Sequence, residues 1–198
     1  MQKINQKYIN NLVLKALEED LRPNGDITTK LLNSKNKIVK AKIISKQNGV
    51  ISGIDFCKAA FKLLEKRSKF LARIKDGKRI KRNQIIAEIT AKTKTILIAE
   101  RTALNFLNHA SGISTITNQY VSKVKNKTKI CCTRKTTPNL RLLEKYAVKK
   151  GGGYNHRFNL GDEVLIKENH FKSDSSFRNL IKRSLKTKKK VTVEIENL

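Results

Sequence analysis

The sequence predicts an α/β protein in two parts: an N-terminal α+β sandwich domain over residues 1–105, which includes the start of a long helix, and an incomplete α/β barrel over residues 106–198. Helical and strand-like spacing are mixed in residues 1–90, and from about residue 128 short apolar strands alternate with helices. Polar residues concentrate where these later strands end. This pattern is typical of a parallel α/β arrangement with its site at the carboxyl ends of the strands.

The N-terminal elements are predicted from the spacing of apolar residues. Helical intervals predict two helices: residues 5–19 and 54–66. Alternation of apolar and polar residues predicts three strands: residues 38–44, 70–74 and 84–90. A broad apolar stripe from Ile96 to Ala110 then predicts a long helix that ends before Ser111 and Gly112.

The C-terminal elements are shorter. Apolar runs predict three strands: residues 129–132, 164–166 and 191–195. Helical spacing predicts two helices, residues 140–148 and 177–185, and Gly151 just beyond the first is typical of a helix C-terminus. Because a closed barrel of this type has about eight strands, the strands predicted here leave it incomplete.

Composition argues against several classes of protein. The chain has no uncharged apolar stretch of about 18 residues and no apolar signal segment near its N-terminus, so we expect neither a membrane protein nor a secreted one. The cysteines, Cys57, Cys131 and Cys132, lack the spacing of a disulfide framework or a zinc site. We therefore expect a cytoplasmic protein.

The net charge of +28 points to an anionic partner. However, residues 1–100 and 101–198 each carry +14, and lysine outnumbers arginine 33 to 11, so compositional drift explains most of the lysines. The informative cations are those inside motifs, because the planar fork of arginine and the titratable ring of histidine suit specific chemistry.

The first motif directly follows the strand predicted at 129–132. Its sequence, Thr133-Arg134-Lys135-Thr136-Thr137-Pro138, displays two cations and three hydroxyls on a loop at the end of a strand. Arginine can bind a carboxylate through two parallel hydrogen bonds, and lysine provides a point charge for phosphate. The motif predicts an anion site, and the alternative interpretation is a solvated basic turn.

Two further segments add cations at strand ends. Consecutive glycines, Gly151 to Gly153, precede Asn155-His156-Arg157, and such a run is needed where the backbone bends sharply or approaches another group closely. The strand at 164–166 ends in Lys167-Glu168-Asn169-His170. A metal site built from His156, His170 and a cysteine is a weaker alternative, because no known ligand spacing is present.

Glu194 lies in the last predicted strand, whose sequence is Val191-Thr192-Val193-Glu194-Ile195-Glu196. Alternation along a buried strand leaves one carboxylate pointing toward the same end as the basic loops. A carboxylate in that position suits Mg²⁺ held beside a phosphate. We therefore expect Glu194 to be a metal ligand.

In this order the motifs resemble the quinolinate phosphoribosyltransferase family, also called carboxylating nicotinate-nucleotide pyrophosphorylases. The resemblance extends over essentially the whole chain. The segments that carry it are residues 24–29, 49–53, Glu100-Arg101-Thr102-Ala103-Leu104-Asn105, 111–115, 133–138, 140–148, Gly151-Gly152-Gly153 with Asn155-His156-Arg157, and Leu165-Ile166-Lys167 with Asn169-His170.

The resemblance implies an enzyme of NAD biosynthesis, a pentosyltransferase. Such an enzyme transfers the phosphoribosyl group of phosphoribosyl pyrophosphate to quinolinate and yields nicotinate mononucleotide, pyrophosphate and CO₂. The resemblance also implies an N-terminal sandwich followed by an open barrel, Mg²⁺ as cofactor, and a homodimer with a shared active site. From the composition we also expect no specific nucleic-acid partner and no membrane partner.

The resemblance also assigns roles to residues of the motifs. The implied substrate-binding residues are Arg101, Thr133, Arg134, Lys135, His156, Arg157, Lys167 and Glu194. Arg101 would reach across the dimer interface toward the carboxylates of quinolinate. Lys135, Lys167 and Glu194 would be catalytic, and Glu194 would also hold Mg²⁺.

Four features depart from the family pattern. Cys132 stands where an aspartate is usual, Asn139 where a glycine usually follows the proline, and Thr192 where a first glutamate usually precedes the one matching Glu194. The chain also ends at Leu198, where the family usually continues into further strand–helix units. We therefore expect C-terminal strands of the barrel to be missing and much of the phosphate half of the site with them.

Two alternatives to an active enzyme follow from these departures and from the charge. In the first alternative, the chain is a catalytically inactive fragment that only binds ligands. In the second, it is a protein on an enzyme-derived scaffold that binds polyanions or nucleic acid. Aromatic residues make up only 6% of the chain and form no RNA-binding motif, which disfavours nucleic acid. A related homologue associated with molybdenum transport is disfavoured by the complete Arg-Lys-Thr and Asn-His-Arg sets.

Overall fold

A computed structural model describes residues 4–32, 37–125, 127–174 and 176–195. Its helices are α1 (Gln6–Leu21), α2 (Ile27–Lys30), α3 (Ile54–Leu64), α4 (Thr93–Val124), α5 (Arg141–Lys150), α6 (Glu168–Ser173) and α7 (Phe177–Lys186). Its strands are β1 (Ile38–Ile44), β2 (Gly49–Val50), β3 (Lys69–Ala72), β4 (Arg79–Ile80), β5 (Ile85–Lys92), β6 (Cys131–Cys132), β7 (Tyr154–Asn155), β8 (Val164–Ile166) and β9 (Val191–Val193). The helices and strands predicted from spacing are all present, some with shifted ends. Glu196 lies outside the described residues.

The N-terminal part is an antiparallel sheet packed against helices. Strand β5 lies at the centre of the sheet, between β1 and β3. Helix α1 places Ile9, Val13 and Leu17 in the core, which matches the helical spacing of its apolar residues. Helix α3 is more deeply buried, and its Phe56 stacks on Phe106 of α4 with ring centroids 5.6 Å apart. The core therefore lies between the sheet and these helices.

Asp76 joins the N-terminal part to helix α5. Its carboxylate accepts hydrogen bonds from the first backbone N–H groups of α3, those of Gly53 at 3.0 Å and Ile54 at 3.2 Å. It also accepts the hydroxyl proton of Tyr146 on α5 at 2.7 Å. Burial, and then the charge of Asp76, raise the pKa of Tyr146. The hydroxyl therefore stays a hydrogen-bond donor, and α5 is fixed to the start of α3.

Helix α4 is longer than the spacing predicts. The predicted end before Ser111 and Gly112 is wrong, because the helix continues to Val124. Ser111 exchanges hydrogen bonds with the backbone of Ser52, and the Ser114 hydroxyl lies 2.8 Å from that of Ser52. These tertiary contacts offset the weak helix propensity of serine and glycine. The domain boundary predicted at residue 105 falls inside this helix and stays a prediction.

The C-terminal part contains parallel strand pairs. Strand β6 pairs with β7, and β8 pairs with β9. Within the described residues these pairs are separate two-stranded sheets, so the barrel is incomplete as predicted. Strand β7 and helix α6 were not predicted, because two and six residues are too short to show a period. No described helix combines the length and apolarity needed to cross a membrane.

The glycine run after α5 lies against α4. A β-carbon at Gly151 would be 2.5 Å from the carbonyl oxygen of Ser114 and 2.7 Å from Cβ of Thr117. A β-carbon at Gly153 would be 2.8 Å from side-chain carbons of Thr117 and Val148. The prediction that this run permits a close backbone approach is therefore confirmed, and the neighbour that approaches is α4.

Gly151→Ala should destabilise the fold, because its methyl group has to displace the backbone of α4. We expect the free energy of unfolding to fall by about 1–3 kcal/mol, as overpacked sites lose. Gly112→Ala is the matched control, since nothing lies within 4 Å of a β-carbon there. That exposed helical position should instead gain about 0.5–1 kcal/mol. Urea unfolding of both variants measures the difference, and equal effects would contradict the close approach.

Candidate active site

The pairing of β6 with β7 brings two predicted motifs together. Cys132 lies opposite Asn155 in this parallel pair. The loop that starts at Thr133 and the segment that starts at His156 therefore leave the sheet side by side. Parallel pairing thus places the Arg-Lys-Thr and His-Arg motifs at one end of the sheet, as the sequence predicts.

The pairing of β8 with β9 does the same for Lys167 and Glu194, which follow the paired residues Ile166 and Val193. The Lys167 ammonium and the Glu194 carboxylate lie 2.5 Å apart. A hydrogen bond from Lys167, together with the charges of Lys167 and Lys135, lowers the pKa of Glu194. Lys135, Lys167 and Glu194 were predicted to be catalytic, and Glu194 is the anion among them.

The loop after β6 has an internal turn and one unsatisfied cation. The Thr133 hydroxyl accepts a hydrogen bond from the backbone N–H of Lys135 at 3.0 Å, so Thr133 shapes the turn. Arg134 is half-buried, and its Nε is a buried donor without a partner among the described residues. A buried donor left without an acceptor costs free energy. Within the described residues Arg134 therefore keeps one unsatisfied donor, which a ligand anion reaches only if the side chain moves.

Glu163 contacts both His156 and Arg157 in the segment that follows β7. Its Oε2 lies 3.2 Å from Nε2 of His156, and the Arg157 guanidinium donates to its backbone carbonyl at 3.1 Å. The ammonium of Lys190 lies 3.8 Å from the same Oε2. This oxygen is buried and makes no well-aligned hydrogen bond within the described residues. His156 therefore has an internal carboxylate partner that the sequence did not reveal.

Helix α5 connects the two loops through side chains that sequence reasoning missed. Arg141 donates from Nε to the Thr136 hydroxyl at 3.1 Å and from Nη1 to the Phe158 carbonyl at 3.1 Å. Glu144 accepts from the backbone N–H of Thr137 at 3.3 Å. Lys145 adds a third contact, to the carbonyl of His156 at 2.9 Å. Spacing by three and four residues puts these side chains on one helix face, and that spacing was the available signal.

Asp162 stabilises the loop that follows Arg157. Its carboxylate accepts from the backbone N–H groups of Phe158 at 2.8 Å and Asn159 at 3.3 Å. The Phe158 hydrogen bond is the main cause that lowers the pKa of Asp162. The backbone between the two predicted motifs is therefore held in place by a charged side chain.

The structure does not bring Arg101 or a metal cluster into this set. Arg101 is exposed on α4, and no hydrogen bond or ion pair joins it to the loops in the described part of the chain. His170 turns inward on its own helix, where its Nδ1 accepts the backbone N–H of Lys167 at 3.0 Å. No group of three candidate ligands occurs among the described residues. The weaker alternative of a metal site with His156 and His170 gains no support.

Chemically, the strand ends are suited to an anion. Arginine and lysine side chains extend from neighbouring loops, and two carboxylates lie among them: Glu163 beside His156 and Lys190, and Glu194 beside Lys167. Fixed cations bind anions and offset the repulsion between two anionic reactants held close together. The arrangement suits two anionic substrates better than one neutral substrate.

Comparison with known proteins agrees with this architecture. Residues 26–111 match the model of the quinolinate phosphoribosyl transferase N-terminal domain, and residues 113–198 match that of the C-terminal domain. A probable carboxylating nicotinate-nucleotide pyrophosphorylase of Methanocaldococcus jannaschii is 41% identical over 197 residues, 96% of this chain and 68% of that protein. The chain belongs to the quinolinate phosphoribosyltransferase family.

Other members of the quinolinate phosphoribosyltransferase family share the fold. The crystal structure of NadC from Streptococcus pyogenes has a TM-score of 0.92 at 36% identity, over 98% of this chain and 71% of that one. The probable carboxylating nicotinate-nucleotide pyrophosphorylase of Bacillus subtilis is 37% identical over 180 residues. This chain spans 60% of the length of the Bacillus subtilis protein and 57% of the related Mycobacterium leprae protein.

Two of the three residues that depart from the pattern of the quinolinate phosphoribosyltransferase family have a structural explanation. Asn139 adopts φ of +65°, a conformation that favours glycine and that asparagine tolerates. Cys132 lies under the site, where its sulfur accepts a hydrogen bond from Lys145 at 3.1 Å. Thr192 lies opposite Leu165 in the β8–β9 pair, and nothing in the structure explains it.

Lys167→Met should raise the pKa of Glu194 toward its ordinary range, because the hydrogen bond and the nearest positive charge are both removed. The Lys135 charge remains, so part of the lowering should persist. NMR titration of the ¹³C-labelled glutamate carboxyl groups measures this change. Lys172→Met is the matched control, since Lys172 pairs with Glu168 and should leave Glu194 unaffected. An unchanged Glu194 titration in Lys167→Met would contradict the pairing.

Proposed function

We propose that the chain carries the quinolinate phosphoribosyltransferase reaction, in which phosphoribosyl pyrophosphate and quinolinate give nicotinate mononucleotide, pyrophosphate and CO₂. The observation that carries this proposal is the pairing of β6 with β7 and of β8 with β9. These parallel pairs bring the motifs of Arg134, His156 and Lys167 to the carboxyl ends of the strands. Both substrates are anions with several charges, and the site offers several cations of different geometry. A single-anion or neutral substrate would leave most of these cations unused.

Quinolinate would bind through its two carboxylates. Arg134 and Arg157 would offer their guanidinium groups, and that of Arg157 is held at one nitrogen by the Glu163 carbonyl. A carboxylate that approaches His156 has to share the imidazole with the Glu163 side chain. Planar guanidinium groups suit this task because they can donate two parallel hydrogen bonds to one carboxylate. Thr133 would assist by holding the turn that presents Arg134.

The phosphoribosyl group would lie toward Lys135, Lys167 and Glu194. The leaving pyrophosphate gains negative charge as the sugar carbon gains oxocarbenium character, and the two lysines would stabilise that charge. Mg²⁺ belongs to this proposal, with Glu194 as the residue that would hold it, since Mg²⁺ binds one or two carboxylates together with substrate phosphates. When bound, the ion would supply charge neutralisation to the pyrophosphate. Lys167 would have to release Glu194, because the two side chains are paired in this structure.

Loss of CO₂ would need no protein nucleophile. Transfer of the phosphoribosyl group to the ring nitrogen would make that nitrogen cationic, and the cationic nitrogen would stabilise the electron pair left on the adjacent ring carbon when the bond to the departing carboxyl group breaks. That carbon would then take up a proton from water, which gives the C–H bond of nicotinate mononucleotide. The task of the protein is then to hold the second carboxylate in place until the transfer is complete. Arg157 and His156 are the residues for this task.

A homodimer and a cytoplasmic location complete the proposal. Arg101 is exposed on α4 and makes no contact with the described loops, which suits a residue that serves the site of a partner subunit. The cysteines Cys57, Cys131 and Cys132 are free, which suits a reducing compartment.

Quinolinate should bind the chain measurably, and Arg157→Ala should weaken binding by about 1.5–3 kcal/mol, the scale of a hydrogen bond to a charged group. Isothermal titration calorimetry measures both affinities. Arg178→Ala is the control, because this exposed arginine on α7 lies outside the site. Nicotinate, with one carboxylate, should bind more weakly than quinolinate. Equal binding by Arg157→Ala and the unmodified chain would exclude Arg157 from the pocket.

Turnover is tested by incubating the chain with quinolinate, phosphoribosyl pyrophosphate and Mg²⁺ and following nicotinate mononucleotide by chromatography. Product formation that Arg157→Ala slows would support the proposed reaction. Quinolinate binding without product would restrict the described residues to the binding half of the reaction. Absence of both would contradict the proposal.

A further inference from the structure

Lys145 is a fully buried lysine beneath the site, with 0% of its surface exposed. Its ammonium donates to the backbone carbonyl of His156 at 2.9 Å and to the sulfur of Cys132 at 3.1 Å. It also lies 4.9 Å from the centre of the Phe158 ring. One side chain of α5 thus contacts strand β6 and two residues of the segment that follows β7.

Burying the Lys145 ammonium without a carboxylate partner costs free energy. Moving a charged ammonium out of water costs several kcal/mol, and buried lysines are normally paired with carboxylates. No carboxylate of the described residues lies within 4 Å of Nζ of Lys145, whose polar acceptors there are a carbonyl and a sulfur. A core position that needed only volume would be filled at lower cost by methionine or leucine.

We propose that Lys145 is a positioning residue of the anion site, which fixes the His156 carbonyl and thereby the direction in which His156 and Arg157 leave strand β7. The inference rests on the proposed function, because the ligand it refers to is a dicarboxylate such as quinolinate. Lys145 does not touch that ligand. It acts through the backbone, and its buried charge adds to the positive field at the strand ends.

The geometry explains why the carbonyl of His156 sets the direction in which His156 and Arg157 leave strand β7. Strand β7 ends at Asn155, so His156 is the first residue that the sheet no longer holds by strand pairing. The hydrogen bond from Lys145 replaces the missing ladder contact at this position. On the far side, Glu163 holds the His156 ring and the Arg157 guanidinium. Without Lys145, His156 and Arg157 would keep their contacts with Glu163 but would lose the hydrogen bond that holds the backbone carbonyl of His156.

The test compares Lys145→Met with two controls in the intact chain. Lys149→Met removes another lysine of helix α5, whose ammonium lies 4.5 Å from the centre of the Tyr154 ring. Phe56→Ala removes a buried core side chain in the N-terminal part and lowers stability without touching the loops. Quinolinate affinity is measured by calorimetry well below each unfolding transition. The imidazole resonances of His156, assigned with His156→Gln, are followed by NMR without ligand.

We expect Lys145→Met to shift the His156 resonances and to weaken quinolinate binding about tenfold or more, the effect of losing one charged hydrogen bond that orients the site. Both controls should leave the resonances in place and the affinity within about twofold, although Phe56→Ala loses stability. Unchanged resonances and affinity in Lys145→Met would overturn the inference. An equal loss of affinity in Phe56→Ala would also overturn it, by assigning the effect to general destabilisation.

The NMR measurement separates this inference from the proposed function. If the unmodified chain fails to bind quinolinate but Lys145→Met shifts His156, the proposed substrate is wrong and the positioning role stands. If quinolinate binds both chains equally, the substrate stands and the role is wrong. Should Lys145→Met not fold, Lys145→Gln is tested with the same measurements, and failure of both to fold would assign Lys145 to the core and overturn the inference.

Discussion

Gly151 and Gly153 lie so close to helix α4 that neither position has room for a β-carbon, and much of the site depends on this contact. Gly151 also ends α5, and Gly153 precedes β7. The contact therefore fixes where α5 stops and where β7 begins relative to α4. Because His156 and Arg157 come directly after β7, their positions follow from a backbone contact made by residues with no side chain.

The same contact gives α5 its role as the support of both loops. Helix α5 is held at one end by the glycines and along its length by the Tyr146 hydrogen bond to Asp76. From this fixed helix Arg141 reaches the Thr136 hydroxyl and the Phe158 carbonyl, which belong to different loops. Sites on rigid elements are held more accurately than sites on loops alone. Helix α5, which is fixed to the N-terminal core, therefore holds both of these loops in position.

Much of this arrangement could be predicted from the sequence because it depends on local patterns. Period-two alternation located β1 and β5, helical spacing located α1 and α3, and strand-end motifs located Arg134, His156 and Lys167. Tertiary contacts were beyond such patterns. The continuation of α4 past Gly112 depends on hydrogen bonds to Ser52, which lies about sixty residues away in the chain. The pairing of Glu163 with His156 depends on a loop conformation that no periodicity encodes, and the burial of Lys145 contradicts the usual preference of lysine for the surface.

The ligand-free site is held together by internal carboxylates, and this shapes how an anion can bind. Glu163 pairs with His156, and Glu194 pairs with Lys167. A ligand carboxylate or phosphate that reaches these cations exchanges one anion for another, so its affinity is a difference between two electrostatic interactions. Arg134 differs, because its Nε has no partner among the described residues but is buried, so a ligand acceptor gains a hydrogen bond from it only if binding uncovers that atom. Binding at His156 and Lys167 is instead an exchange of partners, in which these residues contribute direction and charge balance.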